Sequence, residues 1–293
     1  MIGSNGPGPK KGRRSPEPHL RPWSGPLCPR RRRPTVTERT ELLAEYDREM
    51  RRDPPNSSGA TFERAGALVR ERHTGDTIIY SELTSASAPA AVLAESRRAE
   101  ALGRELEWKV YSHDQPAELP SILKAAGFRP DEPETLVIFD LRELQGAEPD
   151  LHGLTVREVD GPGPFEDALS VSRAAFGPSG PQGLEKFRSR LDDPTARLFV
   201  AYWDGRPISA GRLELPPGRS FAGLWGGGTV PDARHHGAYR ALVYARAERA
   251  RAAGYRYVTV DARETSRPIL ERLGFVSLTG IQGWVLPGPA TPE

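Results

Sequence analysis

Periodic apolar patterning begins near residue 37 and continues to within a few residues of the C-terminus. Residues 38 to 52, ERTELLAEYDREMRR, place Leu42, Leu43, Tyr46 and Met50 on one helical face. The runs ATFERAGALVRER and DTIIYSEL read as strands, APAAVLAESRRAEALG as a helix, and ELEWKVYSHD as the next strand. A short helix ending at AAGF and the strand ETLVIFDL close this first stretch. The second stretch opens with the strand GLTVREVD, followed by helical patterns near 164–176 and 182–191. RLFVAYWDGRPISAGRLEL then reads as two strands around Asp204-Gly205, because that pair supplies the positive φ angles of a two-residue hairpin turn. A strand to Val230, a helix over about 237–253, the strand YRYVTVDA and a short helix ending at RLGF complete the series. Strands alternating with helices predict an α/β sheet layered with helices.

The two stretches repeat one another. EWKVYSHDQPAELPSILKAAGF and YRYVTVDARETSRPILERLGF align without gaps at an offset of 147, setting Asp114 on Asp261, Ile122 on Ile269 and Gly127-Phe128 on Gly274-Phe275. The shared pattern is strand, turn, short helix, a Gly that ends the helix in the left-handed conformation, and a Phe entering the next strand. An internal duplication follows, with the first copy shorter at its front.

Composition changes this picture at one end only. Of the basic residues 36 are Arg and 5 are Lys, a bias that reflects coding composition and carries no functional reading. Residues 1 to 34 carry a balance of +8, which leaves about −6 on the rest of a chain whose net charge is +2. That tail is rich in Pro and Gly with no apolar face, so it is expected to be disordered, with Arg30, Arg31, Arg32 and Arg33 its most cationic point. The acidic body argues against a nucleic-acid-binding protein. The lone Cys28 excludes a disulfide framework and a Cys-rich zinc site, and lying in the tail it is expected to be inert. No window reaches the roughly 18 apolar residues of a membrane span, and no apolar segment follows the basic N-terminus as in a secretory signal. The expectation is a cytoplasmic protein with no membrane partner.

The stretch GTVPDARHHGAYRAL, 228–242, joins a strand to a helix. A helix N-terminus presents unpaired N–H groups backed by the positive end of the dipole, which suits phosphate. Gly237 leaves room for a ligand against the backbone, and Arg234 adds a cation. His235 and His236 diverge and have no third ligand at helical spacing, so no metal is expected there. Arg240, Arg246 and Arg249 read as an exposed helix face, with Arg240 alone near enough to the first turn to reach a phosphate. Gly226, Gly227 and Gly228 either bare the strand surface for a ligand or mark a bulge or a tight packing contact. Trp203 and Trp225 read as core, with an acceptor pocket as the alternative.

TVPDARHHGAYRAL resembles the pyrophosphate loop of the GNAT superfamily, the acetyl-CoA-dependent N-acetyltransferases, whose form is Arg or Gln, two residues, Gly, any residue, then Gly or Ala. Arg234, His235, His236, Gly237 and Ala238 fit, and Tyr239 departs. SRPILERLGF resembles the family's late helix and strand entry, and together the likeness spans 153–285. The first stretch resembles a truncated, degenerate copy with no Arg-x-x-Gly turn before its helix. The resemblance implies tandem GNAT-like domains, a mixed and mostly antiparallel sheet flanked by helices, over 35–145 and 151–288. It implies acetyl-CoA as cosubstrate without a metal, held by Gly228, Thr229, Val230, Arg234, His235, His236, Gly237, Ala238, Tyr239 and Arg240. N–H groups near Gly228 to Val230 would stabilise the oxyanion. The family's late-helix Tyr falls on Leu270, which leaves the proton donor to the thiolate unassigned. Glu214 and Asp261 are the candidate bases for an attacking amine. The implied activity is transfer of an acetyl group to a primary amine of a small molecule or peptide, the alternative being an acyl-CoA-binding module without turnover. The acceptor pocket is expected from 164–191 and a final hairpin at 276–285, and a homodimer stays open.

Overall fold

A computed structural model describes residues 34–56, 60–72, 76–144, 153–177 and 193–288. The basic tail up to residue 33, Cys28 and the helix expected near 182–191 lie outside the described residues.

Helix α1 (Val36–Tyr46) starts at a capping box. The Glu38 N–H donates to the Thr35 hydroxyl at 3.2 Å and the Thr35 N–H to the Glu38 carboxylate at 2.6 Å. A π-helical stretch, Asp47–Arg52, prolongs it. Strands β1 (Thr61–Ala65), β2 (Leu68–Arg72) and β3 (Asp76–Ser81) follow, then α2 (Ala88–Leu102), β4 (Leu106–Tyr111), α3 (Leu119–Ala125), the two-residue β5 (Arg129–Pro130) and β6 (Glu134–Asp140). The second half runs β7 (Leu154–Glu158), α4 (Pro162–Phe176), β8 (Ala196–Trp203), β9 (Arg206–Glu214), β10 (Phe221–Thr229), α5 (Ala238–Ala252), β11 (Tyr257–Arg263), α6 (Arg267–Leu273) and β12 (Val276–Leu286). The β8–β9 hairpin turns at Asp204 and Gly205, with φ of 48° and 82°, as their sequence requires.

The described strands join one sheet, in the order β1-β2-β3-β4-β12-β6-β11-β10-β9-β8-β7, with β5 beside β12. Among the described residues only β3–β4 and β10–β11 pair in parallel. At the centre the two halves exchange their last strands. β6, from the first half, lies antiparallel to β11 over Glu134–Asp140, and β12, from the second, lies antiparallel to β4 over Leu106–Tyr111. Sequence pattern shows ETLVIFDL to be a strand buried on both faces but says nothing of its partner. The expected final hairpin at 276–285 is instead this single strand, because its whole length is taken up by β4 on one side and β6 on the other.

Helices α2, α3, α5 and α6 cover one face. Val92, Leu119 and Leu123 pack on Ile78, Leu106 and Trp108, and Leu242, Ala247, Leu270 and Leu273 on Val137, Phe139, Val258 and Val260. Helix α1 covers the middle of the other face, where Leu136, Ile138, Phe221, Tyr257 and Ile281 meet Tyr46, and α4 covers its far end. Tyr46 stands edge-on to Phe221 at 5.5 Å, and the Ser220 N–H donates to Glu49 at 2.7 Å, so the first helix grips the second half. Each half thus buries strands of the other. A chain split between Leu144 and Gly153 is expected to co-purify as two fragments from denaturant-free buffer, and either fragment alone to be unfolded by circular dichroism.

The repeat is real at its helix-Gly-Phe end and breaks upstream. Gly127 and Gly274 both hold positive φ, 93° and 104°, and Phe128 and Phe275 are both buried. Seven residues separate β4 from α3 but only three separate β11 from α6. Asp114 therefore sits in a turn, where it accepts the Tyr111 N–H at 2.9 Å and pairs with Arg51 at 2.7 Å, while Asp261 lies inside β11. The gapless pairing of Asp114 with Asp261 does not hold in space.

Candidate functional site

Strand β10 carries a bulge. Trp225 faces Arg212 and Gly228 faces Ala210 across β9, so Gly226 and Gly227 together oppose Gly211, and Gly226 takes a φ of 56° that a side chain would resist. The kink turns β10 away from β11. Their parallel pairing stops at Gly223 and Thr259, although both strands run on, and the space between them opens. The glycines do not bare this surface as a row. A Cβ on Gly227 would meet Tyr239 at 2.9 Å, and one on Gly228 would meet Ala175 and Phe176 at 2.7 Å. Only at Gly226 is there open space, so the packing alternative holds for two of the three.

Beyond Val230 a single 3-10 turn, Pro231–Ala233, leads to Arg234, to His235 at a φ of 70° and to Gly237 at 86°. Helix α5 begins at Ala238, and its first bond runs from the Ala241 N–H to the Gly237 carbonyl. The preceding N–H groups are those a helix start offers to an anion. Arg234 is exposed, its Nε donating to the Thr229 carbonyl at 3.4 Å. His236 lies against Trp203 with ring centroids 4.8 Å apart, which draws it onto the β8–β9 hairpin and makes Trp203 part of that support. Arg240 sits near Arg272, and burial together with that like charge lowers its pKa.

Two expectations are corrected here. The Val230 N–H already donates to the Ile208 carbonyl at 2.9 Å, so it is no oxyanion donor. Strand alternation turns the neighbouring Thr229 N–H to the opposite edge, toward the open side. Arg246 is not on an exposed face: it is 1% exposed, and its guanidinium donates to the carbonyls of Leu242, Arg212 and Trp225. It satisfies acceptors beside the bulge, and burial without a carboxylate lowers its pKa to about 10. Among the described residues it has no acidic partner, a costly state for a cation. Tyr239, the departure from the small-residue pattern, lays its ring on Gly227 and hydrogen-bonds with Ser266, whose own hydroxyl donates to the Arg263 carbonyl at 3.1 Å. It therefore spans the opening from β10 to the start of α6. Leu270 is fully buried in the core behind it.

On the α1 side of the same opening lies a cavity of about 250 Å³. Both candidate bases line it. Glu214 accepts from Arg212 at 2.7 Å, and Asp261 pairs with Lys109 of β4 at 2.9 Å, with the Lys109 ammonium 5.5 Å from the Trp225 ring centre. Burial alone would lower the Lys109 pKa, but Asp261, Glu107 and Glu134 outweigh it and hold the ammonium protonated. Glu134, on the same sheet face, is raised to about 7 by burial and by Asp261, against the pull of Lys109. A carboxyl raised in this way binds its proton more tightly in the folded state. Stability is expected to fall as pH climbs from 4.5 to about 7, and Glu134→Gln to flatten that slope in urea unfolding series. Neither Glu134 nor Lys109 stands out as a site residue from its own stretch of sequence. Lys109 alone was visible as a charge inside ELEWKVY, yet which strand it would face was not.

A strand pair splayed at a bulge thus lies between a helix N-terminus of the kind that suits an anion and a cavity lined by ionisable groups. Residues 166–275 match the acetyltransferase (GNAT) family, and this segment is a GNAT domain. The chain is similar in fold to a GCN5-related N-acetyltransferase from Kribbella flavida, at 18% identity and TM-score 0.60 over 86% of this chain and 95% of that one. A tandem GNAT protein from the clavulanic acid biosynthesis pathway gives 14% identity and TM-score 0.54 over 86% and 97%. A GCN5-related N-acetyltransferase from Sphaerobacter thermophilus gives 16% and 0.54 over 86% and 87%. No curated protein matches the sequence. The fold is thus that of tandem GNAT proteins, and the chemistry it supports is acyl transfer from acyl-CoA.

Proposed function

We propose that the protein is an N-acetyltransferase that moves the acetyl group of acetyl-CoA to a primary amine by direct attack on the thioester. The observation that carries this reading is the continuity of the turn 234–240, the splay between β10 and β11, and the cavity beyond it. The pyrophosphate would rest on the N–H groups of Gly237, Ala238 and Tyr239, with Arg234 and Arg240 as nearby cations. His235 shapes the cradle through its backbone, and His236 props it against Trp203. The thioester would reach the bulge, where the Thr229 N–H, on the open side of β10, faces the developing oxyanion. In the cavity the amine nitrogen bonds to the carbonyl carbon and the carbon–sulfur bond breaks. The proton lost from nitrogen passes to a carboxylate, and the thiolate takes one up as free CoA.

Asp261 and Glu214 are the notable acceptors of that proton by position, each already tied to a cation. Glu134, ionising near neutrality, is a third acceptor one strand away. An ordinary alkyl amine has a pKa of about 10.4 and is mostly charged at neutral pH, so a base of this kind matters. A second reading, an acyl-CoA-binding module with little turnover, draws on the Tyr239 ring across the opening and on the buried Leu270. Titrating acetyl-CoA into the full chain by calorimetry tests both. Binding on the order of micromolar is expected, and no heat at all would overturn them together.

A further inference from the structure

Gly227 and Gly228 are neighbours in β10, so side chains on the two would point to opposite faces of the sheet. Each bare position is taken up by a ring. Tyr239 of α5 lies on Gly227, where a Cβ would meet its ring at 2.9 Å, and Phe176 at the end of α4 lies on Gly228, where a Cβ would meet its ring at 2.7 Å. Two aromatic side chains from two helices thus bracket the bulge from its two faces. They are held with different firmness. Tyr239 is partly buried against the core that contains Leu242 and Leu270, and its side chain hydrogen-bonds with Ser266. Phe176 is 59% exposed and stands at the rim. Behind Tyr239 lies Arg246. A Cβ on Gly227 would come within 3.3 Å of its Nη2, and one on Gly211 within 2.7 Å of its Nη1, so β9 and β10 are both bared to seat the guanidinium. It donates to the carbonyls of Leu242, Arg212 and Trp225, and among the described residues no carboxylate pairs with it.

We infer that Tyr239 sets the specificity for the acyl donor: with Phe176 it sizes the bulge for a short acyl group, and it walls off Arg246, which would otherwise receive an acyl group that ends in a carboxylate. The inference rests on the acyl-transfer reading, which brings the thioester to the bulge. From there an acyl chain has three ways to run. Toward α5 it meets the Tyr239 ring, toward the end of α4 it meets Phe176, and toward α1 it enters the cavity from which the amine must attack. Each methylene beyond acetyl has to displace a ring or take the acceptor's place. Discrimination by a closed apolar pocket is worth about 10–200-fold for a single methylene. Tyr239 is the firmer barrier of the two, because a hydrogen-bonded ring packed on a core has no free volume to move into. Removing that ring changes the chemistry of the space as well as its size. The pocket left behind would be floored by a guanidinium that has no acid of its own, and a buried cation in that state gains from an anion brought to it.

The test is calorimetry on the full chain with acetyl-CoA, butyryl-CoA, succinyl-CoA and free CoA. Affinities are compared as ratios within each protein, because the Tyr239 backbone belongs to the pyrophosphate cradle. Wild type is expected to bind acetyl-CoA at least about ten-fold tighter than butyryl-CoA or succinyl-CoA. Tyr239→Ala should shrink both ratios and place succinyl-CoA ahead of butyryl-CoA, since the two acyl chains are equal in length and only one carries a carboxylate for Arg246. Tyr239→Phe keeps the ring and should keep the wild-type ranking. Tyr239→Leu, which loses the ring but retains apolar bulk, takes the place of the alanine variant should that unfold, and each is checked by its melting curve. Butyryl-CoA bound as tightly as acetyl-CoA by wild type, or ratios unchanged on loss of the ring, overturns the inference while the acyl-transfer reading stands. Relaxed ratios with butyryl-CoA still ahead of succinyl-CoA overturn the role given to Arg246. Failure of all four ligands to bind, free CoA included, defeats the acyl-transfer reading and this inference with it.

Discussion

Gly237→Glu is expected to weaken acetyl-CoA binding by a hundred-fold or more, about 3 kcal/mol, while lowering the melting temperature only modestly. Three effects act at this residue, and they can be separated. Gly237 holds a φ of 86°, so any side chain there adds strain of about 1–2 kcal/mol to the folded protein. A carboxylate at a helix start is favourable to the helix itself by roughly 0.3–1 kcal/mol, which offsets part of that strain. The same carboxylate, however, stands where the pyrophosphate would lie and competes for the same N–H groups. Stability therefore changes little and binding changes much. Gly237→Ala isolates the strain and is expected to cost stability with at most about a ten-fold loss of binding. The gap between the two variants should narrow in high salt, because repulsion between exposed charges is screened. Equal binding by wild type and Gly237→Glu would remove the turn from the cosubstrate site.

That turn was readable because its determinants are local. Arg234, Gly237 and the helix that follows are contiguous, and the Asp204-Gly205 hairpin is legible for the same reason: turn chemistry acts over a few residues. The exchange of β6 and β12 was not. Val137 pairs with Val260 across more than a hundred residues of chain, and nothing in the alternation of apolar positions distinguishes that partner from any other buried strand. Arg246 was misread because a cation on a helix is normally solvated. The bulge in β10 leaves carbonyls beside it that a long donor can reach, and the bulge is set by pairing with β9 rather than by the helix. The cavity's ionisable groups were only half legible. Glu214 and Asp261 were picked out from their own strands, but Lys109 and Glu134 come from strands of the first half, and only the curl of the shared sheet brings them within range.

The Lys109–Asp261 pair gives the second large effect, since it is a buried ion pair and can be broken from either side. Asp261 has a side-chain exposure of 3% and Lys109 of 20%, so solvent does little to replace a lost partner. Asp261→Asn leaves a buried ammonium, but Glu134 and Glu107 remain near it, and Glu134 can ionise more readily once Asp261 no longer raises its pKa. The cost should fall at the lower side for such a break, about 2–4 kcal/mol. Lys109→Met is the more damaging change, about 3–5 kcal/mol, because it strands Asp261 beside two further carboxylates with no ammonium among them. Lys109→Met with Asp261→Leu removes both charges and restores an apolar contact against Trp225, so it should recover most of the loss. Urea unfolding of the four proteins at neutral pH measures the cycle. A double variant no more stable than the worse single one would show that the pair is solvated rather than buried. If Asp261 takes the proton from the acceptor amine, the double variant should be the informative protein: folded, still binding acetyl-CoA at the turn, and releasing no CoA in the presence of an amine. Restored stability with unchanged CoA release would move that role to Glu214 or Glu134 and leave Asp261 only a partner for Lys109.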